Sequence, residues 1–130
     1  MKVRTHPMIS PRLVGEPIEI AENRASARLE TSAEMAADER GLVHGGFTFG
    51  LADYAAMLAV NDPHVALGAA ECRFLAPVTV GETMTATAEI TENKGKKRIV
   101  HCSVATHRKV FEGTFVSFVP DRHILDQAAS

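Results

Sequence analysis

One stretch of the chain limits the fold more than any other. From Phe47 to Val60 the sequence runs Phe-Thr-Phe-Gly-Leu-Ala-Asp-Tyr-Ala-Ala-Met-Leu-Ala-Val, and Asp53 is its only charge. Gly45-Gly46 precede the run and Asn61-Asp62-Pro63 stop it. Alanine, leucine and methionine favour helix, so a helix of roughly 21 Å is predicted here. Its apolar residues go round every side, and a helix of that kind is buried on every side. A single sheet covers one side only. A second copy of the chain is the economical cover for the rest, so the pattern predicts a dimer.

The flanking sequence reads as strand. Ile18 to Ala21 follows Pro17 as a short strand. Ala25, Ala27 and Leu29 then alternate with Ser26, Arg28 and Glu30, the period of a strand with one buried face. Thr31 to Arg40 is a loop or a short helix, and the Pro7 and Pro11 region is an extended lead-in. Beyond the helix, Val65 to Val78 is one long candidate strand with an interruption near Gly68. Met84, Ala86, Ala88 and Ile90 alternate with threonines and Glu89. Asn93 to Lys96 is a turn, Ile99 to Thr106 a strand, His107 to Lys109 a turn, and Val110 to Val119 the last strand before Pro120. Tight turns between these strands predict antiparallel pairing. The tail from Asp121 to Ser130 holds one helical turn and then frays.

Composition removes several function classes. At 130 residues the chain has the size of one domain, and 45% apolar residues suffice for a packed core. A net charge of −2 and a pI near 6.3 give no electrostatic reason to bind nucleic acid or an anionic membrane. Cys72 and Cys102 lack CxxC spacing and read as reduced structural thiols. No apolar signal region follows Met1 and no stretch is long enough to span a membrane, so a cytoplasmic location is expected. The six histidines show no metal spacing, and no GxSxG elbow or phosphate loop is present. The basic hairpin of Lys94, Lys96, Lys97 and Arg98 is read as a solvated turn rather than a phosphate site.

Two features carry chemistry. Gly45 and Gly46 lie at the predicted helix N-terminus, where free N–H groups and the helix dipole would polarise a carbonyl and hold its oxyanion. The plainer alternative is a tight turn before a helix. Asp53 is a carboxylate in an apolar helix. An unpaired buried charge is costly, so Asp53 must be paired, open to a cleft, or functional. Pairing with Arg73 or across a dimer is the structural alternative.

The run Leu42-Val43-His44-Gly45-Gly46-Phe47-Thr48-Phe49-Gly50-Leu51-Ala52-Asp53 resembles the hotdog-fold thioesterases, in particular the group related to the phenylacetate-pathway thioesterase. That group has His-Gly-Gly followed by Leu-Ala-Asp, with the Asp nine residues past the His, as here from His44 to Asp53. Arg73-Phe74-Leu75-Ala76-Pro77, Val80-Gly81-Glu82 and Glu112-Gly113-Thr114-Phe115 are similar to further motifs of the family. The likeness runs from about Ile18 to Val119, within one domain spanning 1–130 whose core is about 15–120. It implies an α+β hotdog fold, one long buried central helix wrapped by a curved, mainly antiparallel β-sheet. It also implies an acyl-CoA thioesterase, with coenzyme A as part of the substrate and no other cofactor. Asp53 would be general base or nucleophile, and the Gly45 and Gly46 backbone the oxyanion hole. His44 would position the helix and the carbonyl, with Asp38, Thr48 and Phe47 against the substrate; the plainer alternative for His44 is a structural histidine that caps the loop. The family implies a homodimer with residues of two chains in each site, and tetramers are common.

Two positions depart from the family. Asp38 stands where relatives carry Asn or Gln, and an ionised carboxylate cannot donate a hydrogen bond. Met57 stands where some members place a hydroxyl. Both departures lean towards a second reading, an acyl-CoA-binding regulatory or sensor dimer without turnover. The tail Phe118-Val119-Pro120-Asp121-Arg122-His123-Ile124-Leu125 leans the same way. A hotdog enoyl-CoA hydratase ranks below both, because its local motif is not found.

Overall fold

The computed structural model describes residues 1–128. In chain order its elements are β1 (Glu16–Ala21), β2 (Arg24–Glu30), a 3-10 turn (Ala33–Met35), α1 (Gly45–Val60), β3 (Ala66–Phe74), β4 (Thr83–Lys94), β5 (Lys97–Ala105), β6 (Lys109–Phe118) and α2 (Ile124–Ala128). The strands form one sheet in the order β1-β2-β4-β5-β6-β3, with every neighbour antiparallel. Helix α1 lies across its inner face, chiefly over β2, β4 and β5. This is the hotdog α+β architecture that the sequence resembles.

The register explains why the helix sits so close. Ala25, Ala88 and Cys102 form one inward row across β2, β4 and β5, and Ala27, Ala86 and Val104 form the next. All six side chains are buried. Small residues on the sheet meet Ala52, Ala55, Ala56 and Ala59 of α1, so the two backbones approach without leaving voids. Larger residues fill the ends of this floor, Leu29 and Met84 on one side and Phe111 and Phe115 on the other.

Most sequence boundaries hold within a few residues. Gly45 and Gly46 are the first two residues of α1 and not a turn ahead of it. Pro17 lies inside β1, on an edge strand where proline is tolerated and next to a register shift between Pro17 and Glu19. β3 ends at Phe74 instead of reaching Val78, and its register shifts between Leu67 and Ala69, beside the expected interruption at Gly68. The expected helical turn in the tail is α2; the fraying expected at its end falls on residues 129–130, outside the described ones. Among the described residues, no helix is long and apolar enough to cross a membrane.

The lead-in, residues 1–15, is the main departure from expectation. It folds back over α1. The Arg4 N–H donates to Asn61 Oδ1 at 2.8 Å and Asn61 Nδ2 donates to the Lys2 carbonyl at 2.8 Å. Asn61 is the left-handed C-cap of α1 (φ 52°), so one residue ends the helix and latches the arm. Thr5 is buried, the His6 ring lies 6.2 Å from that of Tyr54, and Ile9 and Val14 pack on the core. The chain thus covers much of the helix by itself, and the need for cover no longer argues for a second copy along all of it. One stripe stays part-open. Gly46, Gly50, Asp53 and Val60 follow at helical spacing, and none is buried.

Candidate functional site

The start of α1 is built by two rings and two glycines. His44 is the N-cap, and its Nδ1 accepts the Gly46 N–H at 2.9 Å. A Cβ on Gly46 would come within 2.8 Å of that nitrogen. A Cβ on Gly45 would meet Cε1 of Phe74 at 3.2 Å. Each glycine is therefore there to admit a ring. Accepting at Nδ1 puts the neutral imidazole's proton on Nε2 and leaves that N–H as a donor on an exposed side chain.

These contacts change the expected oxyanion hole. The Gly46 N–H is used by His44, and the Phe47 N–H reaches the His44 carbonyl at 3.0 Å. Gly45 lines a cavity of about 380 Å³ beside the helix start, with Val43, Thr48, Phe74 to Val78 and Val110 as the other walls. No charged side chain lines it. Thr48 is in the wall, but its hydroxyl donates to Met84 Sδ at 3.3 Å and the residue is buried. Phe47 is half-buried, its ring edge-on to His44 at 6.4 Å.

Asp38 stands apart from this group. It is exposed, and its Oδ1 accepts the N–H groups of Arg40 at 3.0 Å and Leu42 at 3.2 Å. That is a local turn, which shapes the loop into Val43. Glu82, in the Gly81-Glu82 turn, is likewise structural in its contacts. It accepts both the N–H and the hydroxyl of Thr79, and these bonds, with His107 nearby, hold its carboxyl below the usual range.

Asp53 lies two turns further along α1, on the part-open stripe. Its Oδ1 is buried without a hydrogen-bond partner. Desolvation lifts its pKa from 3.8 to about 6. No ion pair to Asp53 occurs among the described residues, and Arg73 lies across from Glu112 in the β3–β6 register, not against Asp53. On the sheet side, burial raises the Cys102 thiol to about 12, with the Asp53 charge as a further cause. Cys102 is thus held as an inert thiol beneath the carboxylate.

The structure brings His44, Gly45, Gly46, Phe47 and Thr48 together but not Asp53 with them. Eight helical residues separate Gly45 from Asp53, an axial distance of about 12 Å with about 80° of rotation. A carbonyl held by one cannot be reached by a water held by the other within one chain. The sequence reading did not single out Phe74 or Asn61 for the roles seen here. Phe74 was visible in the Arg73-to-Pro77 motif and Asn61 as a helix stop, yet their contacts are too distant in sequence to read. Among the described residues, no cluster of His, Cys, Asp and Glu could hold a metal.

Comparison with known proteins places this geometry. A family profile described as Thioesterase superfamily matches residues 40–106, from the loop before α1 to the end of β5. A solved structure of an uncharacterised protein from Pyrococcus horikoshii superposes with a TM-score of 0.95 at 55% identity, covering 97% of this chain and 98% of that one. The PaaI protein from the phenylacetic acid degradation operon of E. coli superposes with a TM-score of 0.73 at 25% identity, covering 79% and 81%. Among curated relatives, methylthioribose-1-phosphate isomerase of Aquifex aeolicus is 49% identical over 117 residues, 88% of this chain and 25% of that protein. Transcription factor FapR of Caldanaerobacter subterraneus is 27% identical, over 88% of this chain and 58% of that one. The chain therefore spans a quarter to about six-tenths of the curated relatives it matches.

Proposed function

The chain belongs to the thioesterase superfamily, and we propose on that premise that it hydrolyses an acyl-CoA thioester to the free acid and CoA. The observation that carries the proposal is Asp53, whose buried Oδ1 has no partner and whose pKa is lifted to about 6. A carboxylate of that kind accepts a proton from water more readily than an ordinary one, and it is ionised at neutral pH. Asp53 takes the water proton as general base, or attacks the carbonyl itself and is regenerated by water. The Gly45 N–H and the Nε2–H of His44 face the developing oxyanion. Hydrolysis breaks the C–S bond, and the thiolate leaves as CoA.

The 12 Å gap along α1 is closed by a second copy. A two-fold axis crossing α1 near its Phe49-Gly50 step would set Gly45 of one chain beside Asp53 of the other. Gly46 and Gly50 keep that stripe flat, and a Cβ on Gly50 would meet nothing within 4 Å. Strand β3 beside it is an exposed sheet edge, with Ala66, Leu67, Gly68, Ala69 and Ala70 uncharged along it. The active unit in this proposal is a homodimer, and two dimers pair in a homotetramer only if a further surface supports it.

A second reading has its own support. Only one backbone N–H of the Gly45-Gly46 pair is left for an oxyanion, and a transcription factor is among the relatives. Both suit a dimer that binds acyl-CoA as a signal. Thiol release from a panel of acyl-CoAs, with wild type beside Asp53→Asn, separates the two. Turnover in wild type that Asp53→Asn loses supports hydrolysis. Binding of acyl-CoA with no turnover on any member favours the sensor, and turnover that survives Asp53→Asn removes Asp53 from the chemistry.

A further inference from the structure

The cavity at the start of α1 has a buried side and an open side. Val43, Val78 and Val110 are buried, whereas Phe74 at the end of β3 is 56% exposed and Leu75 beside it 48%, and of these two only Phe74 has its ring against Gly45. Phe74 and Leu75 together leave an open apolar edge on this cavity. One side of its ring rests edge-on against Phe111, centroids 5.2 Å apart at 76°, and Phe111 continues into Phe115 and Phe49. The edge of the ring lies over Gly45, close enough that a Cβ there would crowd Cε1 at 3.2 Å. Phe74 is thus supported from below and unconfined above, directly beside Gly45, which lines the cavity.

From this placement we infer that Phe74 is the residue that limits acyl length, closing one end of an apolar pocket that takes a short, uncharged acyl group. The inference rests on the acyl-thioester reading of this site and deepens it. The pocket volume of about 380 Å³ is near the lower end for small-molecule sites. Its walls are Val, Phe, Leu, Ala and Pro side chains with Thr48 and Gly45, and no cation is present to pair with a second carboxylate. A dicarboxylic acyl group would be buried there unpaired, which is costly. In this reading a longer chain runs against the Phe74 ring.

The test uses S-butyl-CoA and S-decyl-CoA, thioethers that cannot be hydrolysed, titrated calorimetrically into the full chain as wild type, Phe74→Ala and Phe74→Trp. Phe74→Ala should raise the decyl-to-butyl affinity ratio by roughly tenfold or more, and Phe74→Trp should lower it. A purely structural role for the ring would lower both affinities together and leave the ratio unchanged, which overturns the inference. Failure of every form to bind either thioether overturns it too. Thiol release measured on the same samples keeps the two readings apart. A shifted ratio without turnover sustains Phe74 as the length gate and removes hydrolysis. Turnover with an unshifted ratio does the reverse.

Discussion

The two sides of α1 are built for different purposes. On one, Leu51, Tyr54, Ala55 and Leu58 are buried, and Asn61 ties the N-terminal arm to the helix end with two hydrogen bonds. On the other, Gly46, Gly50 and Asp53 leave a shallow stripe with an orphaned carboxylate oxygen. The first side stabilises the chain. The second gives up stability to hold a group that an apolar helix would otherwise exclude. The contrast fits a site retained against the interest of the fold.

The strongest way to break the contrast is at Asp53. Its folded pKa is raised, so the protonated form is the one the fold prefers. The stability linked to this group is fully present below the unfolded value near 3.8 and is lost as pH rises through about 6. Asp53→Asn should therefore be more stable than wild type at pH 7, by about 1–2 kcal/mol after allowance for its open side. The same change should lower kcat/KM by about 10²- to 10⁴-fold. Wild-type kcat/KM should rise with pH through about 6 and then level. Thermal melts and thiol release on the same samples check both, and a variant that is less stable at pH 7 would contradict the origin assigned to the shift.

On the packed side, Leu58→Ala leaves a cavity and should cost about 2–5 kcal/mol in urea unfolding, while the folded fraction keeps its kcat. A matching loss of kcat without a loss of stability would mean that the two sides are not separable. Gly50→Met probes the stripe without a clash inside the chain. It should leave the monomer as stable or more so by up to about 0.8 kcal/mol from helix propensity. In sedimentation equilibrium it should shift the dimer towards monomer, with activity falling alongside. The latch has the smallest expected effect on activity. Asn61→Ala removes two hydrogen bonds to the arm and should cost about 1–2 kcal/mol, with faster amide exchange at Arg4 and little change in kcat. Unchanged exchange there would show that the apolar contacts of Ile9 and Val14 hold the arm alone.

Local pattern determined a large part of this protein. The apolar run with one charge marked α1 and singled out Asp53. Period-two alternation marked β2 and β4, and the turn residues marked the antiparallel meander. Those signals lie within a turn or two of the chain, where side-chain period and backbone preference act directly. The His-Gly-Gly sequence likewise located a helix start, but local sequence could not say that His44 would consume one of its N–H groups. That depends on the ring's orientation at the N-cap. Tertiary structure also decided the cover of α1, since Asn61 meets Lys2 and Arg4 across 59 and 57 residues. It set Phe74 over Gly45, and it left Asp53 without an ion-pair partner among the described residues. These outcomes depend on which distant surfaces meet, and no short-range periodicity encodes that.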